Sequence, residues 1–275
     1  MKLSVIIPVY NAASYIADTL QSLLHQTMTD FEVLLVDDHG TDNTIEIARQ
    51  IVREDARFCF LQTPVNSGPG IARNIGIDAA RGKFIAFLDS DDLWEPNFLE
   101  ALVDAALGND KPKDLCYCQL KYQGGSKDGQ VHRNPVLEDG AFTPEKKKYF
   151  LRKFVTFSVC FLFRREFLLA NNLRFPDNKN SEDTNFLTRC LLLAESIACV
   201  DTPLYIYNVR ANSLTTGRNT TRYNERMSAV NALMKYFKAL KQQPKYDYLK
   251  LEQYNLVMAW IWFKKGFAQA IKEIL

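Results

Sequence analysis

The sequence predicts an α/β fold in which a mostly parallel central sheet is flanked by helices and followed by a helical C-terminal extension. From residue 3 to about 120, short runs rich in β-branched residues alternate with segments of helical periodicity, which is typical of βαβ units. Three of these strand-like runs end in polar or acidic residues. The apolar fraction of 47% and the charged fraction of 24% are ordinary for a chain of 275 residues that buries a substantial core.

The first part of the chain contains five apolar runs of strand length. They are LSVIIPV at 3–9, FEVLLVDD at 31–38, RFCFLQ at 57–62, KFIAFLD at 83–89 and DLCYCQL at 114–120. Apolar side chains recur at helical spacing from Tyr15 to Leu24, and Asp42 or Asn43 can cap a second helix. Further helices are expected after the NSGPG segment and after Pro96.

Beyond residue 120 the pattern changes. The glycine-rich GGSKDGQ segment at 124–130 predicts a connector or hairpin. After it we expect a strand at FSVCFLFRR, a helix that opens near SEDTNFL, paired strands around SIACVD and PLYIYNV, and two final helices broken near QQPKY. The chain is thereby divided into one domain of residues 1–217, with halves of about 1–115 and 116–217, and an extension of residues 218–275.

Charge and cysteine content limit the class of protein. The net charge is +2, but from Arg218 to the end eleven Lys or Arg oppose four Asp or Glu, so the tail is basic and the rest is mildly acidic. The six cysteines show no C-x-x-C spacing, which argues against a zinc site and favours reduced thiols in a cytoplasmic protein. No signal peptide, membrane-spanning run or nucleic-acid partner is expected.

Acidic side chains follow the strands at the edge where α/β sheets bind ligands. Asp37 and Asp38 end the second strand, and the segment from Asp89 to Asp92 ends the fourth. Residues two apart on an extended chain face the same way, with Cα atoms roughly 6.5 to 7 Å apart. A divalent cation, Mg²⁺ or Mn²⁺, would relieve the repulsion between Asp89 and Asp91. The alternative is a turn in which Asp92 starts the next helix.

Two further segments have both a chemical and a purely structural interpretation. NSGPGIARN at 66–74 predicts free helix amides that can bind an anion beside Arg73, or simply a helix start whose turn is set by glycines. The segment does not match the G-x-G-x-x-G motif of dinucleotide-binding proteins, and no phosphate-binding G-x-x-x-x-G-K-[ST] motif occurs. Glu182 and Asp183 either take part in the chemistry of the site or are only acids in a first helical turn, where the helix dipole stabilises them. The three histidines are scattered, which argues against a histidine-based triad.

Four blocks together carry a resemblance to a known family. They are SVIIPVYNAASYIADTLQSLLHQT, FEVLLVDDHGTDNT, NSGPGIARNIGIDAARGKFIAFLDSDD, and SEDTNFLTRC with VDTPLYIYNVRANSLT. In this order they are similar to the family-two glycosyltransferases, whose fold is the Rossmann-like GT-A fold. The resemblance covers residues 2 to about 216 and implies transfer of a sugar from a nucleotide-sugar donor, usually a UDP-sugar, to an acceptor hydroxyl with inversion.

The resemblance also implies roles for individual residues. Pro8 and Tyr10 would flank the base, Asp38 would hydrogen-bond the uracil, and Arg73 would lie near the base or the phosphates. In the D-x-D element Asp89 would face the ribose, Ser90 would lie at the donor, and Asp91 would ligate the metal, Mn²⁺ or Mg²⁺. Asp183 would be the general base, with Glu182 as its helper.

The chain departs from the family pattern at two places. Asn208 stands where relatives often carry an arginine, and Arg210 follows two residues later, so a phosphate contact there is not expected. No histidine follows His132, so protein ligation of the metal would rest on Asp91 alone.

Several alternatives stay open at this point. A signalling receiver domain and a sugar nucleotidyltransferase lack supporting motifs, whereas a catalytically inactive relative that only binds a nucleotide-sugar needs a turnover test. The acceptor would be a saccharide or a lipid-linked saccharide, in surface polysaccharide or glycolipid synthesis. The basic tail at 218–275 would rest peripherally on the inner face of the cytoplasmic membrane, or pack on the domain or on a second copy. The chain stops at KEIL without a helix-ending residue, so a fragment of a longer protein stays one of the open alternatives.

Overall fold

The structure is a computed structural model, and it describes residues 1–108, 111–137, 140–153, 157–177 and 182–210, together with 235, 236, 238–240 and 242. The predicted helical extension at 218–275 lies outside the described residues apart from those last few positions. The strands are β1 Leu3–Val9, β2 Phe31–Asp37, β3 Phe58–Gln62, β4 Phe84–Phe87, β5 Leu93–Trp94, β6 Leu115–Gln123, β7 Val131–His132, β8 Gly140–Ala141, β9 Phe161–Arg164 and β10 Ser196–Asn208. The helices are α1 Ile16–Leu24, α2 Thr44–Val52, α3 Pro69–Ala79, α4 Phe98–Leu107, α5 Pro144–Lys153, α6 Arg165–Ala170 and α7 Glu182–Leu193.

The described strands form one sheet in the order β3-β2-β1-β4-β9-β6-β10-β5, with β7 paired to β6 and β8 paired to β10. Strands β3, β2, β1 and β4 are mutually parallel, and so are β6 and β10. The predicted α/β class with a mostly parallel sheet is therefore confirmed. Every residue of β1 and β4 is buried, because helices cover both faces of the parallel part.

The structure gives the strand order and corrects one strand prediction. Strand β9 lies between β4 and β6 and is antiparallel to both. The two strands expected around SIACVD and PLYIYNV are one strand, β10, whose register against β6 shifts on either side of Pro203. Proline has no backbone N–H to donate to the ladder, so the interruption looked like a turn in the sequence.

Aromatic packing holds the start of α7 against the centre of the sheet. Phe186 on α7 stacks on Phe175 with ring centroids 3.9 Å apart, and Phe175 meets Phe87 of β4 edge-on at 5.2 Å. Phe163 of β9 completes the cluster, 5.4 Å from Phe186. Because Phe186 is one helical turn after Glu182 and Asp183, this packing brings those two acids close to the end of β4, where Arg73 contacts both of them and Asp89.

Candidate active site

The carboxyl ends of β1, β2 and β4 meet at one edge of the sheet. Val9 is paired with Asp37, and the amide of Leu88 donates to the carbonyl of Ile6 at 3.1 Å, so the segments that follow these strands begin at the same level. Parallel pairing requires this convergence, and it is where open α/β sheets bind ligands. The residues predicted to bind a donor come from these strand ends and from the loop before α3.

Pro8 and Tyr10 differ in accessibility. Pro8 is buried within β1 opposite Val36. Tyr10 follows the strand and is 51% exposed. The next residue, Asn11, adopts a positive φ of 48° and accepts a hydrogen bond from the amide of Thr41. The Tyr10 side chain is thereby about half exposed where β1 ends.

Asp38 is buried, and its carboxylate binds the loop before α3. Its two oxygens accept hydrogen bonds from the hydroxyl of Thr63 at 2.9 Å and from the amides of Ser67 at 2.8 Å and Gly68 at 2.7 Å. Gly68 has a φ of 91°, which favours glycine, and α3 begins at the next residue. The helix predicted after NSGPG is therefore confirmed, whereas anion binding by its amides and contact of Asp38 with a base stay predictions.

The acids of the DSDD segment have different surroundings. Asp89 is 31% exposed, whereas Asp91 is 15% exposed and pairs with Arg210. Ser90 is partly exposed between them. Asp92 is buried and accepts hydrogen bonds from the Tyr205 hydroxyl at 2.6 Å and from the amide of Asn208 at 2.8 Å. Burial and the charge of Asp89 raise the pKa of Asp92.

The suggestion that Asp92 starts the next helix was wrong. Helix α4 begins at Phe98 and follows Asn97, while residues 93–94 form β5. Asp92 instead ties the DSDD segment to the end of β10. The sequence pattern could not distinguish an acid that starts a helix from one that binds the end of another strand, because in both cases the acid follows a strand.

The end of β10 contributes two residues to which the sequence had assigned no role. The side-chain amide of Asn208 donates to the carbonyl of Asp91 at 2.7 Å. The guanidinium of Arg210 contacts the Asp91 carboxylate and lies 4.4 Å from the ring centroid of Tyr15. The displaced arginine was visible in the sequence, but its contact depends on how β10 ends beside the DSDD segment.

Arg73 joins the two acidic groups of the site. Its Nη2 lies 2.7 Å from Asp89, and its Nη1 lies 3.2 Å from Glu182 and 3.4 Å from Asp183. The side chain is only 3% exposed. A contact between Arg73 and a donor base or phosphate stays a prediction, and the structure gives both terminal nitrogens carboxylate partners instead.

Burial and neighbouring charges determine the protonation of these groups. Burial alone would lower the pKa of Arg73, but the charges of Asp183, Asp89 and Glu182 raise it, so Arg73 is a permanent cation. The pKa of Glu182 is raised to about 7 by burial and by the Asp183 charge, against the opposing charge of Arg73. The pKa of Asp183 is raised overall, because burial and the charge of Asp89 outweigh the lowering by Arg73 and by a hydrogen bond from Ser158 at 2.7 Å.

Two kinds of feature are absent from the described residues. No helix among them has the length and apolar character needed to cross a bilayer. In the same ranges, no cluster of three or more His, Cys, Asp or Glu side chains is arranged to hold a metal ion.

Comparison with known proteins identifies relatives of the chain. The model of "Glycosyl transferase family 2" matches residues 4–170. The chain is 34% identical over 214 residues to the putative glycosyltransferase EpsH of Bacillus subtilis, a match that covers 77% of this chain and 62% of EpsH. It is 33% identical over 249 residues to an uncharacterised glycosyltransferase of Haemophilus influenzae, covering 87% of this chain and 89% of that protein. The chain thus spans about three fifths of the length of EpsH.

A solved structure of a glycosyltransferase also resembles the chain. The structure of Staphylococcus aureus TarS residues 1–349 in complex with UDP-GlcNAc superposes with a TM-score of 0.69 at 26% identity, covering 85% of this chain and 66% of that one. The predicted GT-A fold is therefore confirmed. By its sequence match and its fold, the chain belongs to glycosyl transferase family 2.

Proposed function

We propose that the protein is an inverting, metal-dependent glycosyltransferase that moves a sugar from a UDP-sugar to an acceptor hydroxyl. The observation that carries this proposal is the junction at Arg73, where an acid of the DSDD segment and the acids that begin α7 come within reach of one guanidinium. A donor element and a base must face each other across the anomeric carbon in an inverting transfer. The relative TarS, solved with UDP-GlcNAc, supports a nucleotide-sugar donor.

The donor would lie along the carboxyl edge of β1, β2 and β4. The exposed ring of Tyr10 offers a surface on which a base can stack, and Pro8 lies in the strand below it. Asp38 would recognise the uracil through the loop that its carboxylate holds. Asp89 would accept a ribose hydroxyl, and Ser90 would lie beside the donor.

A divalent metal, Mn²⁺ or Mg²⁺, fits the residues at Asp91. This carboxylate already attracts one cation, the guanidinium of Arg210, and the partly exposed Asp89 is a second acid of the same segment. Oxygen ligands of this kind suit hard cations, which keep water and borrow oxygens from phosphates. When bound there, the metal would neutralise charge on the departing nucleoside diphosphate.

Asp183 would act as the general base. Its Oδ1 is oriented by the hydroxyl of Ser158 and by Arg73. In the proposed step, Asp183 accepts the proton of the acceptor hydroxyl while that oxygen forms a bond to the anomeric carbon. The bond from this carbon to the diphosphate oxygen breaks, and its electron pair leaves with the UDP.

The acceptor and the setting are proposed only as classes. A saccharide or a lipid-linked saccharide acceptor, in surface polysaccharide or glycolipid synthesis, fits a family-two enzyme. Residues 218–275 would make peripheral contact with the inner face of the cytoplasmic membrane or pair with a second copy. Apart from 235, 236, 238–240 and 242, these residues lie outside the described ranges. Liposome flotation with and without residues 219–275 separates these two interpretations, because equal flotation would exclude the membrane contact.

The proposal is tested by calorimetry and by release of nucleotide from a panel of UDP-, GDP- and dTDP-sugars, with Mn²⁺ or with chelator. We expect UDP to bind more tightly with Mn²⁺, and Asp91→Ala to remove most of that difference. Asp183→Asn should keep Mn²⁺-dependent UDP binding and lose release of UDP from the donor sugar. Donor binding without any turnover by the unsubstituted protein would instead favour an inactive donor-binding relative.

A further inference from the structure

The Arg73 guanidinium bridges two segments that are distant in sequence. Nη2 contacts the acid that ends β4, and Nη1 contacts both acids that begin α7. The ring of Phe175 lies 5.2 Å from the guanidinium carbon and closes one side of the site. We propose that Arg73 is a positioning residue that keeps Asp183 ionised and aligned with Asp89 and does not itself contact the donor; this inference rests on the proposed role of Asp183 as general base.

Geometry favours positioning over a donor contact. The side chain is 3% exposed, and both terminal nitrogens are directed at carboxylates. The remaining nitrogen, Nε, is buried and has no hydrogen-bond partner within the described part of the chain. A donor phosphate would have to displace at least one carboxylate from a buried site, whereas Arg210 stands partly exposed beside Asp91.

Charge balance explains why an arginine is needed at this point. The titratable groups that face Asp183 are Arg73 from α3, Asp89 after β4, Glu182 on its own helix and Cys160 beside Ser158. Arg73 is the cation among them, and it opposes burial and the repulsion between the acids. Since a carboxylate must be ionised to take a proton, removal of this cation would leave less of the base in its active form near neutral pH.

The fork shape of the guanidinium matters as well as its charge. The two terminal nitrogens of the planar guanidinium point in different directions within its plane and can bind Asp89 and the α7 acids at once, while a lysine ammonium is a single point on a flexible stem. Arg73→Lys should therefore preserve part of the effect on Asp183 and lose part of the alignment. Arg73→Gln removes the charge altogether.

The test is the pH dependence of kcat/KM for UDP release from UDP-GlcNAc, or from whichever donor in the panel turns over fastest. Arg73→Gln should move the acidic limb of the profile to higher pH by about one unit or more. Arg73→Lys should move it less. Arg174→Gln is the matched control, because Arg174 makes an exposed ion pair with Asp78 on the same helix α3 and should leave the limb in place.

The outcomes separate this inference from the proposed function. If the unsubstituted protein releases no UDP, or Asp183→Asn releases it normally, the proposed function fails. If turnover depends on Asp183 but Arg73→Gln changes only KM and leaves the acidic limb unmoved, Arg73 is a donor contact and the inference is wrong.

A second pair of variants keeps the test valid if Arg73→Gln alone does not fold. Glu182→Gln removes one of the three acids that would be left without a cation. The comparison is then between Glu182→Gln and the double variant Glu182→Gln/Arg73→Gln, and the same upward movement of the limb is expected. Equal profiles for the two would overturn the inference.

Discussion

Single residues of the same type have opposite roles in this site. Asp91 and Asp92 are adjacent in the sequence, yet Asp91 is partly exposed beside Arg210 while Asp92 is buried beneath Tyr205. Both carboxylate oxygens of Asp38 likewise accept hydrogen bonds from the segment before α3. Exposure and hydrogen-bond partners, and not residue type, separate the acids that can meet a ligand from those that hold the backbone.

At Glu182 the structure predicts a pH dependence of stability. Its pKa is raised from 4.5 to about 7, so between these values the folded state binds more protons than the unfolded state. Stability from this group is full below pH 4.5 and is lost as the pH rises through about 7. Glu182→Gln removes this dependence, so its free energy of unfolding relative to the parent should rise by up to about 3 kcal/mol between pH 5 and pH 8.

Urea denaturation at the two pH values measures this change. Glu166→Gln is the control, because the Glu166 side chain is 85% exposed and its substitution should give the same difference from the parent at both pH values. An unchanged difference for Glu182→Gln would mean that Glu182 is ionised throughout the range.

The Tyr205 hydroxyl is predicted to stabilise the DSDD segment. Tyr205 is fully buried, and its hydroxyl donates to a buried carboxylate at 2.6 Å. Tyr205→Phe leaves one oxygen of Asp92 without this donor and should lower the free energy of unfolding by about 1–3 kcal/mol. Chemical denaturation measures the loss, with Tyr122→Phe on the half-buried end of β6 as the matched control. Equal stabilities of the two variants would contradict the anchoring role of Asp92.

Among the secondary-structure elements, helix α3 is the one that links the sheet to the site. It begins where Asp38 holds the preceding loop, carries Arg73 one turn later, and lies directly on β1. Its closeness to the sheet depends on small residues. A methyl group at Gly76 would lie at or within 3.0 Å of three side-chain carbons of Ile6, and one at Gly70 would lie 3.2 Å from Cγ of Glu182.

Gly76→Ala tests this packing because two effects oppose each other. Alanine favours a helix over glycine by about 1 kcal/mol, whereas overpacking against a buried strand costs about 1–3 kcal/mol. We expect the clash to prevail and the free energy of unfolding to fall. In a double-mutant cycle, Ile6→Ala removes the three carbons, so the double variant should be more stable than the sum of the single losses predicts. Additive losses would show that α3 does not depend on this contact.

The predictions about elements succeeded where the signal was local. The first four strands, the helices between them and the hairpin before β7 follow from alternation, caps and glycines within short windows. The central position of β9 and the continuity of β10 did not follow, because both depend on pairing with strands far away in the chain. Within a short window, Pro203 looks the same in a turn as in an interrupted strand.

In the molecule as a whole, the predicted donor half and acceptor half share one sheet. The predicted boundary near residue 115 falls at the start of β6, and β9 hydrogen-bonds β4 on one side and β6 on the other. Buried side chains of both halves form a single core cluster. We therefore expect the two halves to unfold together.

Hydrogen exchange under native conditions tests this expectation. Amides of β1 and β6 should exchange with the same free energy of opening. Leu191→Ala, in the fully buried face of α7, should lower both by the same amount, about 2–5 kcal/mol. Faster exchange in β6 and β10 alone would show that the acceptor half opens independently.

By itself the sequence determined the α/β class, the acidic ends of the parallel strands and membership of a glycosyltransferase family, because these depend on periodicity and on residue types in short blocks. Only the tertiary structure decided which acids face outward and which are bound by the chain. Arg73 meets Glu182 and Asp183, and Asp92 meets Tyr205, across more than a hundred residues of sequence. Burial and charge pairing at such distances arise from packing, which no local pattern records.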